Sequence, residues 1–351
     1  MNENNGSTKS FDALDENGKS ARSQDPKQKL VMSIFIVIIL ILLSFTVLIF
    51  GQIFSQTGGG SQTQTTTSVP DPDTNTVIMD SEDVRSGSLL LINNTFKPKY
   101  PTVQNNLVNV YEFKNNSAND SMTKITSGGK KFPTYELGSL ATSVVLDSTT
   151  LEQFNKMMLD YCATLDLSSL ADGSNASNVN IAWGYSDEET LAKDLANETL
   201  GLDYYDHALG TSITLRRNSD SKTITESLFK SEYKWIYENC YKYGFILRYP
   251  DSCKDKTGLD GSDRIHLRYV GYEHAYYMSQ NGLCLEEYLE LIRTQYTYTG
   301  EHLTFTADNG SSYEVCYVAA AGNPTEITVP KDVSCSVSGD NMSGFIVTLT
   351  K

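Results

Sequence analysis

Leu30 to Phe50 reads LVMSIFIVIILILLSFTVLIF, 21 consecutive residues without a charge. At 1.5 Å per residue such a run crosses a bilayer core of roughly 30 Å. A cleaved leader needs an apolar core of only about 7–15 residues and small residues at the cleavage position. Here the run carries on through Ile53 and Phe54 with no such position, so the chain is expected to hold an uncleaved membrane anchor over residues 30–54. Lys27 and Lys29 precede it, and no Lys or Arg follows until Arg85. Positive flanks stay in the cytoplasm. Residues 1–29, polar and without apolar pattern, are therefore expected as a disordered cytoplasmic tail. The rest of the chain is expected outside the cell, making this a single-pass cell-membrane protein.

Residues 55–76 (SQTGGGSQTQTTTSVPDPDTNT) cannot build a core and are expected as a flexible linker. The net charge of −15 excludes nucleic acid as a partner, because phosphate binding needs a basic footprint. From Val77 the pattern becomes that of a folded domain. Ser88–Ile92 and Val108–Phe113 are expected as strands. Thr149–Leu165 has apolar residues at helical spacing, with Thr149 or Thr150 as the cap. Val179–Trp183 reads as a strand, followed by a helix from Asp187 to Ala196 that Ser186 could cap. Thr225–Tyr243 is again helical and is stopped by Gly244, and Phe245–Arg248 and Ile265–Gly271 read as strands. A helix follows Leu283. Leu303–Ala307 and Tyr313–Val318, separated by Asp308-Asn309-Gly310, form a hairpin signal. Residues 300–351 are expected to be a small β module behind a domain spanning 77–299.

Six cysteines in an external compartment permit disulfides. Cys316 with Cys335 and Cys240 with Cys253 are the pairings the order of elements suggests. The four histidines are His207, His266, His274 and His302. Zinc hydrolysis needs about three protein ligands, an open position for water, and a base. No G-x-S-x-G, H-E-x-x-H or Walker loop occurs, so serine hydrolases, zincins and nucleotide enzymes lack their motifs. His274 and His302 are expected at the surface or behind the site.

Several stretches together resemble the VanY-type D-alanyl-D-alanine carboxypeptidases: Tyr243–Tyr249 (YGFILRY), Ile265–Gly271 (IHLRYVG), Glu273-His274-Ala275, Asn281-Gly282-Leu283 and Leu285–Leu289. Ser88–Ile92, Trp183-Gly184-Tyr185 and His207-x-x-Gly210 fall in the same order as in that family. The resemblance implies an α+β fold, with helices packed on a small antiparallel sheet that carries the site. It also implies a zinc peptidase that removes the terminal D-alanine from peptidoglycan stem peptides.

The family's S-x-H-x-x-G-x-A-x-D supplies two zinc ligands. Its histidine matches His207, its alanine falls on Ser212 and its aspartate on Thr214. E-x-W-H supplies the base and the third ligand, which fall on Asp263 and His266. The arginine of G-Y-R-S, which holds the substrate carboxylate, falls on Ser186 after Tyr185. Thus the resemblance places His207 and His266 as metal ligands, Asp263 as the base, and Tyr185, Ser186, Ser212 and Arg268 beside the substrate. Threonine is a poor replacement for a carboxylate on zinc, Asp263 is a methylene shorter than Glu, and Ser186 cannot clamp a carboxylate as arginine does. Arg216, Arg217 or Arg268 could replace the clamp, and Asp206 could reach a metal. Two outcomes follow from the resemblance. In one, a degenerate member binds the D-Ala-D-Ala end of stem peptides, or a wall partner, without a cofactor. In the other, an active zinc D,D-carboxypeptidase cleaves that end.

Overall fold

The computed structural model describes residues 73–99, 106–138, 143–196, 202–259 and 266–351. The expected tail, the anchor 30–54, most of the linker and Asp263 lie outside these residues. Among the described residues no helix is long and apolar enough to cross a membrane. Pro70–Lys351 forms one compact unit.

The strands that organise this unit are β1 (Thr74–Met79), β2 (Glu136–Leu137), β3 (Val179–Trp183), β4 (Ser212–Arg217), β5 (Phe245–Leu247), β6 (His266–Tyr269), β7 (Leu303–Thr306), β8 (Ser312–Ala319), β9 (Thr325–Pro330), β10 (Ser334–Gly339) and β11 (Gly344–Thr350). The central sheet runs β2-β3-β4-β6-β5. It is antiparallel apart from β2, which lies parallel to β3. Helix α1 (Ser148–Ala163) covers one face. Its Leu151, Phe154, Met157, Met158 and Tyr161 recur at three- and four-residue spacing and pack against Val179, Ile181, Ile213, Leu215 and Leu267. Its cap is Asp147, whose carboxylate accepts from Thr150 N at 2.9 Å, rather than either threonine. Helix α2 (Glu188–Ala196) starts in the same way: Asp187 accepts from Thr190 N at 2.8 Å, so the cap is not Ser186.

Three expected elements differ. Val108–Phe113 is a short strand, Leu107–Asn109, running into the helix Val110–Asn115, because Asn109 accepts from Glu112 N and starts the helical turn. Thr225–Tyr243 is not one helix. Tyr233 N–H bonds to Leu228 O five residues back, widening the turn, and the segment divides into Glu226–Ser231, Lys234–Asn239 and a 3₁₀ turn Cys240–Tyr243. Gly244 ends it at φ 80°, a left-handed conformation that suits glycine. Ser88–Ile92 is no strand. Leu89 N donates to Ser338 Oγ and Leu91 N to Asp340 O, while the carbonyls of Ser88, Leu90 and Ile92 accept from two buried arginines. These backbone groups of the buried strap, which a sheet would otherwise satisfy, are met instead by side chains and by one carbonyl near the C-terminus.

The C-terminal β module is present as the antiparallel sheet β7-β8-β11-β10. Its β9 leaves that sheet and pairs with β1 from the other end of the unit, Thr74 opposite Pro330. The end of the expected linker is thus part of this ribbon. Helices α3 (Tyr272–Asn281) and α4 (Leu285–Gln295) lie between module and strap. Met278, Leu285, Leu289 and Ile292 share one apolar cluster with Leu89, Leu91, Leu303, Val315 and Ile346, so the boundary drawn at 299/300 crosses a continuous core. His274 is buried there, its Nδ1 2.8 Å from the Tyr288 hydroxyl, and is not a surface residue. His302 faces Glu314 within the module.

All six cysteines are free thiols. Cys316 on β8 and Cys335 on β10 lie on opposite sides of β11, against Val347 and Leu349. Two strand spacings, about 9–10 Å, exceed the reach of a disulfide. Cys253 lies beside Cys284 rather than Cys240, and their sulfurs and a Glu287 oxygen lie within 4.8 Å of one another.

Candidate functional site

Strand β4 separates scaffold from chemistry by simple alternation. Ile213 and Leu215 face α1 within the core. Ser212, Thr214 and Arg216 therefore face the other way. Across the ladder Ser212 pairs with Arg268, Thr214 with His266, and Arg216 with Asn180. A bulge between Ile181 and Trp183 shifts the register so that Trp183 stands opposite Thr214. The extra residue flips Trp183 onto this face, which the strict period of β3 would not have done.

At the centre of the face two histidines meet one hydroxyl. Thr214 Oγ1 lies 3.0 Å from His207 Nε2 and 3.0 Å from His266 Nδ1. The rings are 4.7 Å apart at 57°, and Tyr249 closes the far side of His266 edge-on. His207 comes from the 3₁₀ turn Leu202–Leu209, which Gly210 ends at φ 70° so that β4 can begin. His207, Thr214 and His266 are all fully buried.

A hydrolytic zinc takes three protein ligands and keeps one position open. The donors here are two imidazoles and a neutral hydroxyl. A hydroxyl can donate its proton to one ring nitrogen and accept from the N–H of the other, so Thr214 can bridge the two imidazoles. Among the described residues, the grouping of three potential ligands is Cys253, Cys284 and Glu287, which includes neither histidine. Burial pushes both thiols up in pKa. Among the described residues, those at His207 and His266 do not make up a three-ligand zinc centre.

Asp206, next to His207, turns away from it. Its carboxylate accepts from Arg268 Nη1 at 2.6 Å, from Arg248 Nε at 3.4 Å and from the Ser212 hydroxyl. Burial pushes the carboxyl up, but Arg268 and then Arg248 outweigh it and hold it at about 2. Arg248 also makes a two-pronged pair with Glu286 at 2.7 and 2.9 Å, and Arg268 Nη2 reaches the carbonyls of Ser88 and Leu90. Asp206, Arg248 and Arg268 have no exposed surface. The Asp206 carboxylate is therefore engaged by the two arginines, and both Arg268 and Ser212, expected beside the substrate, are committed to this cluster.

Tyr185 and Ser186 lie on the opposite flank. Gly184 precedes them because a Cβ there would come within 2.4 Å of Val145 O. Tyr185 N donates to Val145 O and Ser186 N to His207 O, which fixes this turn against the histidine. Both residues line a cavity of about 640 Å³, together with Asn180, Trp183, Thr190 and Arg216. Arg216 stacks on Trp183, 4.3 Å from the ring centre. Arg217, one residue on, faces away and pairs with Asp220 and Glu232. Sequence reasoning named Arg216 only as one of three cations. The signal that could have separated them is its even spacing from Thr214.

Residues 200–272 match the VanY family, D-alanyl-D-alanine carboxypeptidase. The chain is 29% identical to a D-alanyl-D-alanine carboxypeptidase of Enterococcus faecium over 272 residues, 76% of this chain and 77% of that protein. It is 39% identical to a D-alanyl-D-alanine carboxypeptidase of Enterococcus faecalis over 84 residues, which span 24% of this chain and 29% of that relative. Among solved structures, the vancomycin-resistance D,D-dipeptidase VanXYg, in complex with a D-Ala-D-Ala phosphinate analog, has a TM-score of 0.59 at 20% identity, covering 79% of this chain and 99% of that one. That likeness shows a shared fold.

Proposed function

We propose that this chain, whose domain over residues 200–272 belongs to the VanY family of D-alanyl-D-alanine carboxypeptidases, binds the D-Ala-D-Ala end of peptidoglycan stem peptides without hydrolysing it. It does so outside the cell, tethered by the apolar segment 30–54. The observation that carries the reading is the Thr214 hydroxyl, 3.0 Å from each histidine, where the family motif places an aspartate. A neutral oxygen there leaves a cation with two imidazoles and no anionic ligand among the described residues, while a cavity lined by Tyr185, Ser186 and Arg216 lies on one flank.

The full-length chain tests this in two measurements, bound zinc per chain and release of D-alanine from a stem pentapeptide. The expected result is less than one zinc per chain, no release, and tighter binding of the pentapeptide than of the tetrapeptide lacking the last D-alanine. The two ring nitrogens still aim at one point, which favours the opposite reading, an active zinc D,D-carboxypeptidase. Stoichiometric zinc with turnover would establish that reading and overturn ours.

A further inference from the structure

Beyond Thr214, on the side away from the Asp206 cluster, the cavity wall holds two polar atoms that nothing among the described residues satisfies. Arg216 Nε and Asn180 Oδ1 are both buried without a hydrogen-bond partner. The two residues are ladder partners on β4 and β3, which places their backbones about 4.5–5.5 Å apart. Asn180 is only 8% exposed. Arg216 makes no ion pair among the described residues, and its guanidinium carbon lies over the Trp183 ring. A buried donor and a buried acceptor left open side by side are costly unless a ligand completes them.

The ligand must supply an anion to a forked cation and, a bond or two away, an N–H to an amide oxygen. The C-terminal residue of a peptide carries both, its carboxylate and its own amide N–H. Arginine reads a carboxylate in two-pronged fashion, and its stacking on Trp183 holds the fork ready. Thr214 lies two positions earlier on the same face, about 7 Å away, which is the span of an extended dipeptide. A carboxylate held at Arg216 therefore directs the preceding residue along β4 toward Thr214.

We propose that Arg216 and Asn180 anchor the C-terminal carboxylate and adjoining amide N–H of the bound peptide, replacing the clamp missing at Ser186. The choice of D-alanine rests on the function proposed above; the carboxylate chemistry does not. Titration calorimetry on the full-length chain tests it with D-Ala-D-Ala, its C-terminal amide, and L-Ala-L-Ala with its amide. Wild type is expected to favour acid over amide by about 10- to 100-fold. Arg216→Gln collapses that ratio to near one. Arg216→Lys restores part of it, and Arg217→Gln leaves it intact. Equal binding of acid and amide by wild type, which needs no variant, overturns the anchor, as does an acid preference that survives Arg216→Gln. If D-Ala-D-Ala binds without depending on Arg216, the anchor falls and the D-Ala-D-Ala reading stands. If only L-Ala-L-Ala binds, with an Arg216-dependent acid preference, the anchor stands and that reading falls. If neither peptide binds at millimolar concentration, both fall.

Discussion

Arg268 and Arg216 lie on the same face of the same sheet, one on each side of the histidine pair, and their surroundings are opposite. Arg268 is fully buried, and its donors are taken by Asp206 and by the carbonyls of Ser88, Leu90 and Tyr269. Arg216 has an aromatic face and a cavity, and its Nε has no partner. The first holds the protein together. A buried pair of this kind contributes little beyond an apolar substitute, yet breaking it is expensive, because the remaining charge is left in a dry interior. The second is the kind of group that a protein leaves open where something else is to bind. Charge and exposure of the strand alone do not separate the two roles; the partners do.

Asp206→Ala puts the greatest strain on this contrast. It strands Arg268, while Arg248 keeps Glu286, and urea denaturation is expected to show a loss of about 3–5 kcal/mol. Thr214→Asp comes next. It restores an anionic ligand, so zinc at a hundred times its dissociation constant should raise stability by about 2.7 kcal/mol in this variant and not in wild type. A thermal melt with and without zinc reads the difference, and an unmoved midpoint would mean that the carboxylate does not reach the imidazoles. Glu286→Gln weakens the fork on Arg248 without emptying the cluster, and a loss of about 1–2 kcal/mol is expected in the same urea series. Arg216→Gln removes no side-chain hydrogen bond or ion pair among the described residues and should leave stability within about 0.5 kcal/mol of wild type. A larger loss would show that Arg216 belongs with Arg268 after all.

Elements with a strong period and local punctuation were legible. The spacing in Thr149–Leu165 yields α1, and Asp308-Asn309-Gly310 marks the turn between β7 and β8. The pair His207 and His266 was legible through its motifs. What local pattern could not convey was where long-range partners intervene. Ser88–Ile92 has the composition of a strand, but its hydrogen bonds go to Arg248, Arg268, Ser338 and Asp340, from far along the chain. Arg216 and Arg217 are adjacent and chemically identical, and only the facing of β4 separates a residue in the cavity from one paired with Asp220 and Glu232. The bulge that turns Trp183 toward Arg216 has no marker in the sequence, since neither glycine nor proline interrupts Val179–Trp183.

The strap has a consequence for the order in which the chain can acquire its structure. Leu89 N bonds to Ser338, 249 residues later, and β1 has no sheet partner until β9 exists. Contacts of such separation form late, because a long loop must close before they contribute. A chain emerging from its N-terminus therefore carries Leu89–Ile92 and β1 unpaired until its last strands appear. Arg268, arriving earlier, can bind Asp206 at once, but its carbonyl ligands on the strap are held in place only when Ser338 and Asp340 join. A chain stopped at residue 299 would contain every residue of the candidate site and still lack the segments that hold its back wall.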